Sequence, residues 1–166
     1  MLQADRSAAV SADAFRAGMR KLPQPVCIVT TEHHGRRYGF VAGSVSSVSI
    51  EPPTLLVSID RQGSTHDPLI AAGKFCLNVL AARDRAMAER FMSPAHRESR
   101  FALGTWTTMN HSPVLATAEA AFDCAVVERM AYHSHSIVLG LVQAVWRGDG
   151  PADPLIYVDR AFRRSA

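Results

Sequence analysis

Several patterns by which nucleotide-binding and membrane proteins are recognised are missing from this sequence. No Gly-x-Gly-x-x-Gly opens a helix and no Gly-x-x-x-x-Gly-Lys-Ser/Thr occurs, so neither a Rossmann nor a P-loop nucleotide site is expected. No apolar run approaches the roughly 20 residues of a membrane span, so no membrane association is expected. The N-terminus has no basic start followed by an apolar segment, so we expect no signal peptide and a cytoplasmic protein.

Cysteine and clustered charge are both scarce. Cys27, Cys76 and Cys124 each lie in an apolar, strand-like run, and none belongs to a Cys-x-x-Cys pair. They are predicted to be buried free thiols of a reducing compartment, not disulfides. The formal net charge is +3, and the basic residues are spread along the chain, which argues against a nucleic-acid partner.

The length and composition are those of an ordinary globular domain. The 166 residues are 48% apolar and 20% charged, enough for one well-formed core. The Ala-rich residues 1–10 are predicted to be a flexible segment, and residues 11–166 a single domain.

Apolar and β-branched runs recur along the chain and are joined by short links. Strands are predicted over 25–31, from Tyr38, and over 54–60, 74–80, 120–128, 136–146 and 154–158. Helices are predicted from Ser11, over 68–72 and over 81–92, while 93–113 and 159–166 are expected to be irregular. Because strands predominate and do not alternate with helices, the fold class is predicted to be mainly β, an antiparallel barrel with peripheral helices.

Residues 39–53, Gly-Phe-Val-Ala-Gly-Ser-Val-Ser-Ser-Val-Ser-Ile-Glu-Pro-Pro, are the most unusual stretch. Glycine and serine alternate there with residues that favour β-strands. Because glycine and serine bury little side-chain surface, their presence in a strand suggests that a ligand approaches the backbone closely. Hydroxyls and amides suit an anionic or polyhydroxylated ligand, such as a phosphate with a ribityl chain. The alternative is a serine-rich edge strand that ends in a turn at Pro52-Pro53.

The same stretch resembles the flavin-binding segment of the short-chain flavin reductases. The matching positions are Gly39, Ala42, Ser44, Ser47, Val48, Ser49, Pro52 and Pro53. Val41 replaces the usual threonine and Gly43 the usual asparagine. The resemblance implies a split β-barrel of the FMN-binding, Greek-key type, usually a homodimer. It also implies that flavin binds to Val41, Ala42, Gly43, Ser44, Ser46 and Ser47.

A second segment, Ser58 to His66, follows the next predicted strand. Arg61, Ser64 and Thr65 offer a guanidinium, two hydroxyls and free amides, a set that suits a phosphate, although a solvated turn is the alternative. The segment is similar to the family's Asn-Arg-x-Ser-x-Thr, with Asp60 in place of asparagine. That similarity implies cofactor-binding roles for Ser58, Ile59, Asp60, Arg61, Ser64, Thr65 and His66.

A third segment contains His133 and His135, which would share one face if this segment were a strand. Such a pair can bind a metal, but a metal site needs three or four ligands, and none is expected. The segment is similar to the family's Gly-Asp-His-x-Ile-x-x-Gly at His135, Ile137 and Gly140. The similarity implies that His135 is the catalytic-site residue that positions the nicotinamide.

The last segment, residues 154–163, looks like the family's closing Pro-Leu-x-Tyr motif. It implies that Tyr157 packs near the ligand or at a dimer interface, and a core tyrosine is the alternative.

Together these resemblances imply an NAD(P)H-dependent flavin reductase. It would take free FMN or FAD and NADH or NADPH, and pass reduced flavin to a separate flavin-dependent monooxygenase. The competing hypothesis is a split-barrel protein that binds flavin or heme without reductase activity.

Overall fold

The computed structural model describes residues 10–164, and most of this range is β-structure. The strands are β1 Gln24–Pro25, β2 Cys27–His33, β3 Arg36–Ala42, β4 Val45–Ile50, β5 Pro53–Asp60, β6 Lys74–Val79, β7 Trp106–Met109, β8 Ser112–Leu115, β9 Ala120–Tyr132, β10 His135–Arg147, β11 Leu155–Val158 and β12 Ala161–Arg164. The α-helices are α1 Ala12–Met19, α2 His66–Ala72 and α3 Arg85–Met92. Two 3-10 helices cover Ala82–Asp84 and Pro94–Ala102. The mainly β prediction is confirmed.

Seven strands form one antiparallel sheet in the order β3-β2-β6-β9-β10-β5-β4. Strands β3 and β4 lie at opposite edges, yet only Gly43 and Ser44 join them. The sheet must therefore curl until its edges approach each other. In agreement, β3 also contacts β5, the strand that pairs with β4. The β4–β5 ladder continues into the link, where the backbone N–H of Ser58 donates to the carbonyl of Ser44 at 3.1 Å.

The curled sheet has a core on each face. Consecutive residues of β2 show this, because Val29 packs into the inner core and Ile28 into the outer one. Val57, Phe75 and Val138 are fully buried in the inner core. The outer core lies between the sheet, α3 and the three-stranded sheet β1-β11-β12. This second core fixes α3 and the C-terminal hairpin against β3.

Two segments that were predicted to be irregular are ordered. Residues 93–113 contain the 94–102 helix and part of the β7–β8 hairpin, and the end of the chain pairs with β11 as β12. Periodicity did not indicate these elements, because each is only four to nine residues long. The flexible segment predicted over 1–10 lies, apart from Val10, outside the described residues.

The three cysteines are free and buried, as predicted. Burial raises the pKa of the Cys27 and Cys124 thiols to about 12, so both stay protonated at neutral pH. Among residues 10–164, no helix has the length and apolar character needed to cross a membrane.

Gly140 in β10 provides a test of the inner core. A Cβ at this position would lie 2.5 Å from Cζ of Phe75 and 2.8 Å from Cβ of Cys124. We expect Gly140→Ala to lower the free energy of unfolding by about 1–3 kcal/mol through overpacking. Gly18→Ala is the control, because that position in α1 has nothing within 4 Å. Urea titrations that found the two variants equally stable would contradict this packing.

Candidate flavin site on the outer face of β3

Strand β3 separates the inner core from a surface that other elements cover only in part. Phe40 and Ala42 pack into the inner core, while Val41 packs into the outer one. Gly39 has the same orientation as Val41, and a Cβ on it would lie 2.8 Å from Cε1 of Phe91. Glycine at this position therefore lets α3 approach the strand closely.

A cavity of about 40 Å³ lies at the beginning of β3, and is here termed the arginine cavity. Its lining residues are Arg36, Arg37, Tyr38, Gly39, Ser64, Thr65, Arg97, Arg100 and Phe101. Since roughly 10–15 Å³ of such space holds one water molecule, it has room for about three water-sized atoms. The terminal oxygens of a phosphate group have that size, and the arginine and hydroxyl side chains would bind them.

Arg100 is the most constrained cation of this cavity. Its Nη1 donates to the carbonyl of Gly39 at 2.9 Å, whereas its buried Nε has no partner within the described residues. Burial lowers the pKa of the Arg100 guanidinium, and the nearby charge of Arg97 lowers it further. A partly buried cation with an unpaired donor and a cation beside it would be stabilised by a bound anion.

The 94–102 helix brings Arg97 and Arg100 to the same side. In a 3-10 helix, side chains three residues apart are eclipsed, which is the spacing of this pair. Glu98, on another side, binds the guanidinium of Arg36 at 2.7 Å. Part of the Arg36 charge is therefore offset, while Arg97 and Arg100 have no carboxylate partner among residues 10–164.

A second cavity, of about 80 Å³, lies at the other end of β3 and is here termed the Gly43 pocket. Its lining residues are Gln24, Pro25, Val26, Val41, Ala42, Gly43, Met92, Tyr157 and Phe162. A Cβ on Gly43 would lie 2.5 Å from Oε1 of Gln24, so the Gln24 amide covers this glycine. Apolar and aromatic walls with one amide suit the edge of a flat heteroaromatic ring.

The two cavities are about four residues of extended chain apart, or roughly 13 Å. An extended flavin mononucleotide is long enough to span this distance, with its phosphate and its ring at opposite ends of the ribityl chain. The outer face of β3 therefore presents a candidate anion site and a candidate ring site.

The structure brings some of the predicted residues together here. Ser64 and Thr65 line the arginine cavity, while Val41, Ala42, Gly43 and Tyr157 line the Gly43 pocket. The sequence did not single out Arg97, Arg100, Gln24 or Met92 as site residues. The three-residue spacing of Arg97 and Arg100 was the available signal, but it is informative only once a 3-10 helix is known.

The other residues of the Ser58–His66 segment have different surroundings. Arg61 donates from Nη1 to the carbonyl of His133 at 3.2 Å, and the Asp60 carboxylate accepts from the backbone N–H of Gln62. Ser58 pairs with Ile137, and Ile59 is 2% exposed in the inner core. Nε2 of His66 lies 2.9 Å from Oγ of Ser136. Their predicted contacts with the cofactor stay predictions.

Three serines of the 39–53 stretch are exposed: Ser44 in the β3–β4 link, and Ser46 and Ser47 in β4. The carbonyl of Ser44 binds β5, as described above. Ser46 and Ser47 lie on β4 beside an apolar concave surface rather than in either cavity of β3. Their role in flavin binding also stays a prediction.

His135 begins β10 opposite Asp60 of β5, and its exposed imidazole has Nδ1 2.9 Å from Oγ of Ser134. Two residues further along β10, Ile137 pairs with Ser58 of β5, and the backbone N–H of Ser58 donates to the carbonyl of Ser44 in the β3–β4 link. His135 is therefore roughly 7 Å along β10 from Ile137, whose partner Ser58 binds this link. Within residues 10–164, no three His, Cys, Asp or Glu side chains are grouped to hold a metal ion.

Comparisons with known proteins identify the family of the chain. The family model of flavin reductase-like domains matches residues 19–166. The FMN reductase (NADH) RutF of Methylorubrum populi is 41% identical over 155 residues, which cover 93% of this chain and 76% of the relative.

Two crystal structures show the fold. A Haemophilus somnus protein has a TM-score of 0.90 at 30% identity, covering 94% of this chain and 100% of its own. A homologue of nitrilotriacetate monooxygenase component B from Mycobacterium thermoresistibile has a TM-score of 0.88 at 25% identity, covering 93% and 86%. The split-barrel prediction is confirmed. The chain belongs to the family of flavin reductase-like domains.

Proposed function

We propose that this flavin reductase oxidises NADH, reduces FMN, and releases the reduced flavin to a separate flavin-dependent monooxygenase. The observation that carries the proposal is the pair of cavities on the outer face of β3, one cationic and one flat and apolar. Relatives named as NADH-dependent FMN reductases support both substrates. A structural neighbour named as a monooxygenase component supports the partner.

In this proposal the arginine cavity holds the flavin phosphate. Arg97 and Arg100 supply the charge, and the Ser64 and Thr65 side chains supply hydroxyls. The ribityl chain follows β3 towards Gly43. The ring edge then meets the Gln24 amide and the side chain of Met92 in the Gly43 pocket.

Bound flavin supplies the redox chemistry, accepting a hydride at N5 from C4 of the reduced nicotinamide. The chain contributes binding and orientation rather than a proton donor or acceptor. Tyr157 and Phe162, with ring centroids 5.2 Å apart, form one wall against which the ring system is positioned. The positioning of the nicotinamide by His135 is part of the proposal, and the exposed imidazole is accessible to a ligand.

FMN is preferred over FAD because the arginine cavity, at about 40 Å³, suits one terminal phosphate. NADH is preferred over NADPH because the curated relatives carry NADH in their names. No feature of residues 10–164 favours the competing hypothesis of a flavin- or heme-binding protein without reductase activity. We further propose one domain over residues 11–166 and, given three free buried thiols, a cytoplasmic location.

The activity itself is the first prediction. Purified protein mixed with NADH and FMN should lose absorbance at 340 nm at a rate that depends on both the protein and FMN. NADPH and FAD, tested in parallel, should give lower kcat/KM. Tight flavin binding without NADH oxidation would contradict the reductase proposal and favour the non-enzymatic alternative.

The second prediction tests whether Arg100 or Arg61 binds the flavin phosphate. Arg100→Gln removes the charge and should raise the Kd for FMN about tenfold to a hundredfold, the cost of one charge-assisted hydrogen bond. Arg61→Gln is the matched control and should leave Kd nearly unchanged, because Arg61 is bound to the His133 carbonyl. Fluorescence titration of flavin measures both constants, with thermal melts to verify folding. The opposite ranking would move the phosphate to Arg61.

We also propose a homodimer. Strands β4, β5, β6, β9 and β10 surround a concave surface of about 380 Å³ whose walls are mostly apolar. Val145 on its wall is 52% exposed, and Ile50 at the β4 edge is 88% exposed. A monomer seldom leaves so much apolar surface and an unpaired strand edge in water, and a twofold-related copy is the commonest cover.

The third prediction follows from that surface. Sedimentation velocity at micromolar concentration should show a dimer, and Ile50→Asp should shift it towards monomer because it buries a charge in the interface. Val10→Asp is the control, since Val10 is 76% exposed and lies before α1, away from the concave surface. A fully active wild-type monomer would refute the proposal.

A further inference from the structure

A third cleft adjoins the Gly43 pocket, between α3 and the β11–β12 hairpin. Its volume is about 540 Å³, and it is here termed the C-terminal cleft. Its lining residues are Arg85, Glu89, Met92, Ser93, Tyr157, Arg160, Ala161, Phe162 and Arg163. Met92, Tyr157 and Phe162 line both this cleft and the Gly43 pocket. A ligand in the cleft can therefore reach the place where the flavin ring is proposed to lie.

The charge of the cleft suits an anion. Arg85, Arg160 and Arg163 face one carboxylate, Glu89, which Nε of Arg85 already binds at 2.8 Å. The guanidinium carbon of Arg85 lies 5.5 Å from the centroid of the Phe162 ring. Arginines beside an aromatic ring are a combination that binds phosphates and stacks on planar bases.

Arg160 occupies this position in an unusual backbone conformation. Asp159 and Arg160 form the β11–β12 turn with φ values of 48° and 61°. Such a turn normally takes asparagine or aspartate followed by glycine, because an arginine side chain is strained at positive φ. Glycine is the residue that this turn position favours, and it differs from arginine by lacking a side chain. The Arg160 side chain lines the C-terminal cleft.

We propose that Arg85, Arg160 and Arg163 bind the pyrophosphate of the nicotinamide dinucleotide in the C-terminal cleft. The nicotinamide ring then passes Tyr157 to meet the flavin in the Gly43 pocket. This inference rests on the proposed function. The hydride transfer is unchanged, and the cleft contributes affinity and direction for the second substrate. The arginine cavity and the C-terminal cleft thus hold the phosphates of two different nucleotides.

Arg160→Gly gives the sharpest test, because the thermal stability should increase while the affinity for NADH should decrease. Relief of the strained turn should raise Tm, while loss of the cation should raise KM for NADH several-fold and leave the Kd for FMN unchanged. A purely structural role for Arg160 predicts a lower Tm and an unchanged KM. His111→Gly is the matched control, since Asn110 and His111, with φ values of 45° and 71°, form the corresponding turn between β7 and β8. It should raise Tm alone.

A double variant, Arg85→Gln with Arg163→Gln, tests the site without the turn. We expect about a tenfold rise in KM for NADH and a similar loss of NAD⁺ affinity for the FMN-loaded protein by calorimetry, the combined effect of two lost contacts at exposed arginines. Inorganic pyrophosphate should compete with NAD⁺ in the wild type only. The Kd values for FMN and FAD are measured for the same double variant, and an increase in either would show that the substitutions weaken flavin binding instead.

Unchanged NADH and NAD⁺ constants in the folded variants would overturn the assignment, as would a change confined to FAD. A wild type that binds FMN but never oxidises NADH would instead refute the proposed function.

Discussion

The connection between β3 and β4 is the constraint on which the rest of the molecule depends. Two residues, Gly43 and Ser44, carry the chain from one edge of a seven-stranded sheet to the other. So short a link can join opposite edges only if the sheet curls. The curled sheet has the inner core on one side of β3, and segments that come later in the chain cover the other side. The functional face is thus a consequence of closure.

That outer face is covered unevenly, and the uneven cover creates the site. Phe91, Phe101 and Trp106 pack together over Gly39, with ring centroids 4.9–5.7 Å apart. The aromatic cluster fixes the 94–102 helix, and the helix in turn holds Arg100 against the carbonyl of Gly39. Loss of this apolar packing is therefore expected to release the cation, and under the proposed function it would also weaken flavin binding.

Part of this could be predicted from the sequence. Strand runs were sufficient to predict a mainly β fold, and the 39–53 stretch was sufficient to indicate Gly43 as a candidate ligand contact, because both signals are local. Arg100 and Gly39 are 61 residues apart, so no local pattern reveals their hydrogen bond. The sequence favours Arg61 for the phosphate because it precedes Ser64 and Thr65, and that role stays a prediction. In the structure the Arg61 side chain donates to the carbonyl of His133, a contact that no local pattern indicates.

The central claim is that flavin lies along the outer face of β3, with its phosphate at Arg100 and its ring at Gly43. A crystal structure of the protein soaked with FMN tests this most directly. The account predicts phosphate density within hydrogen-bonding distance of the Arg100 guanidinium and ring density against Gln24 and Met92. Phosphate density at Arg61, or a flavin on the concave surface around Ser46 and Ser47, would contradict it.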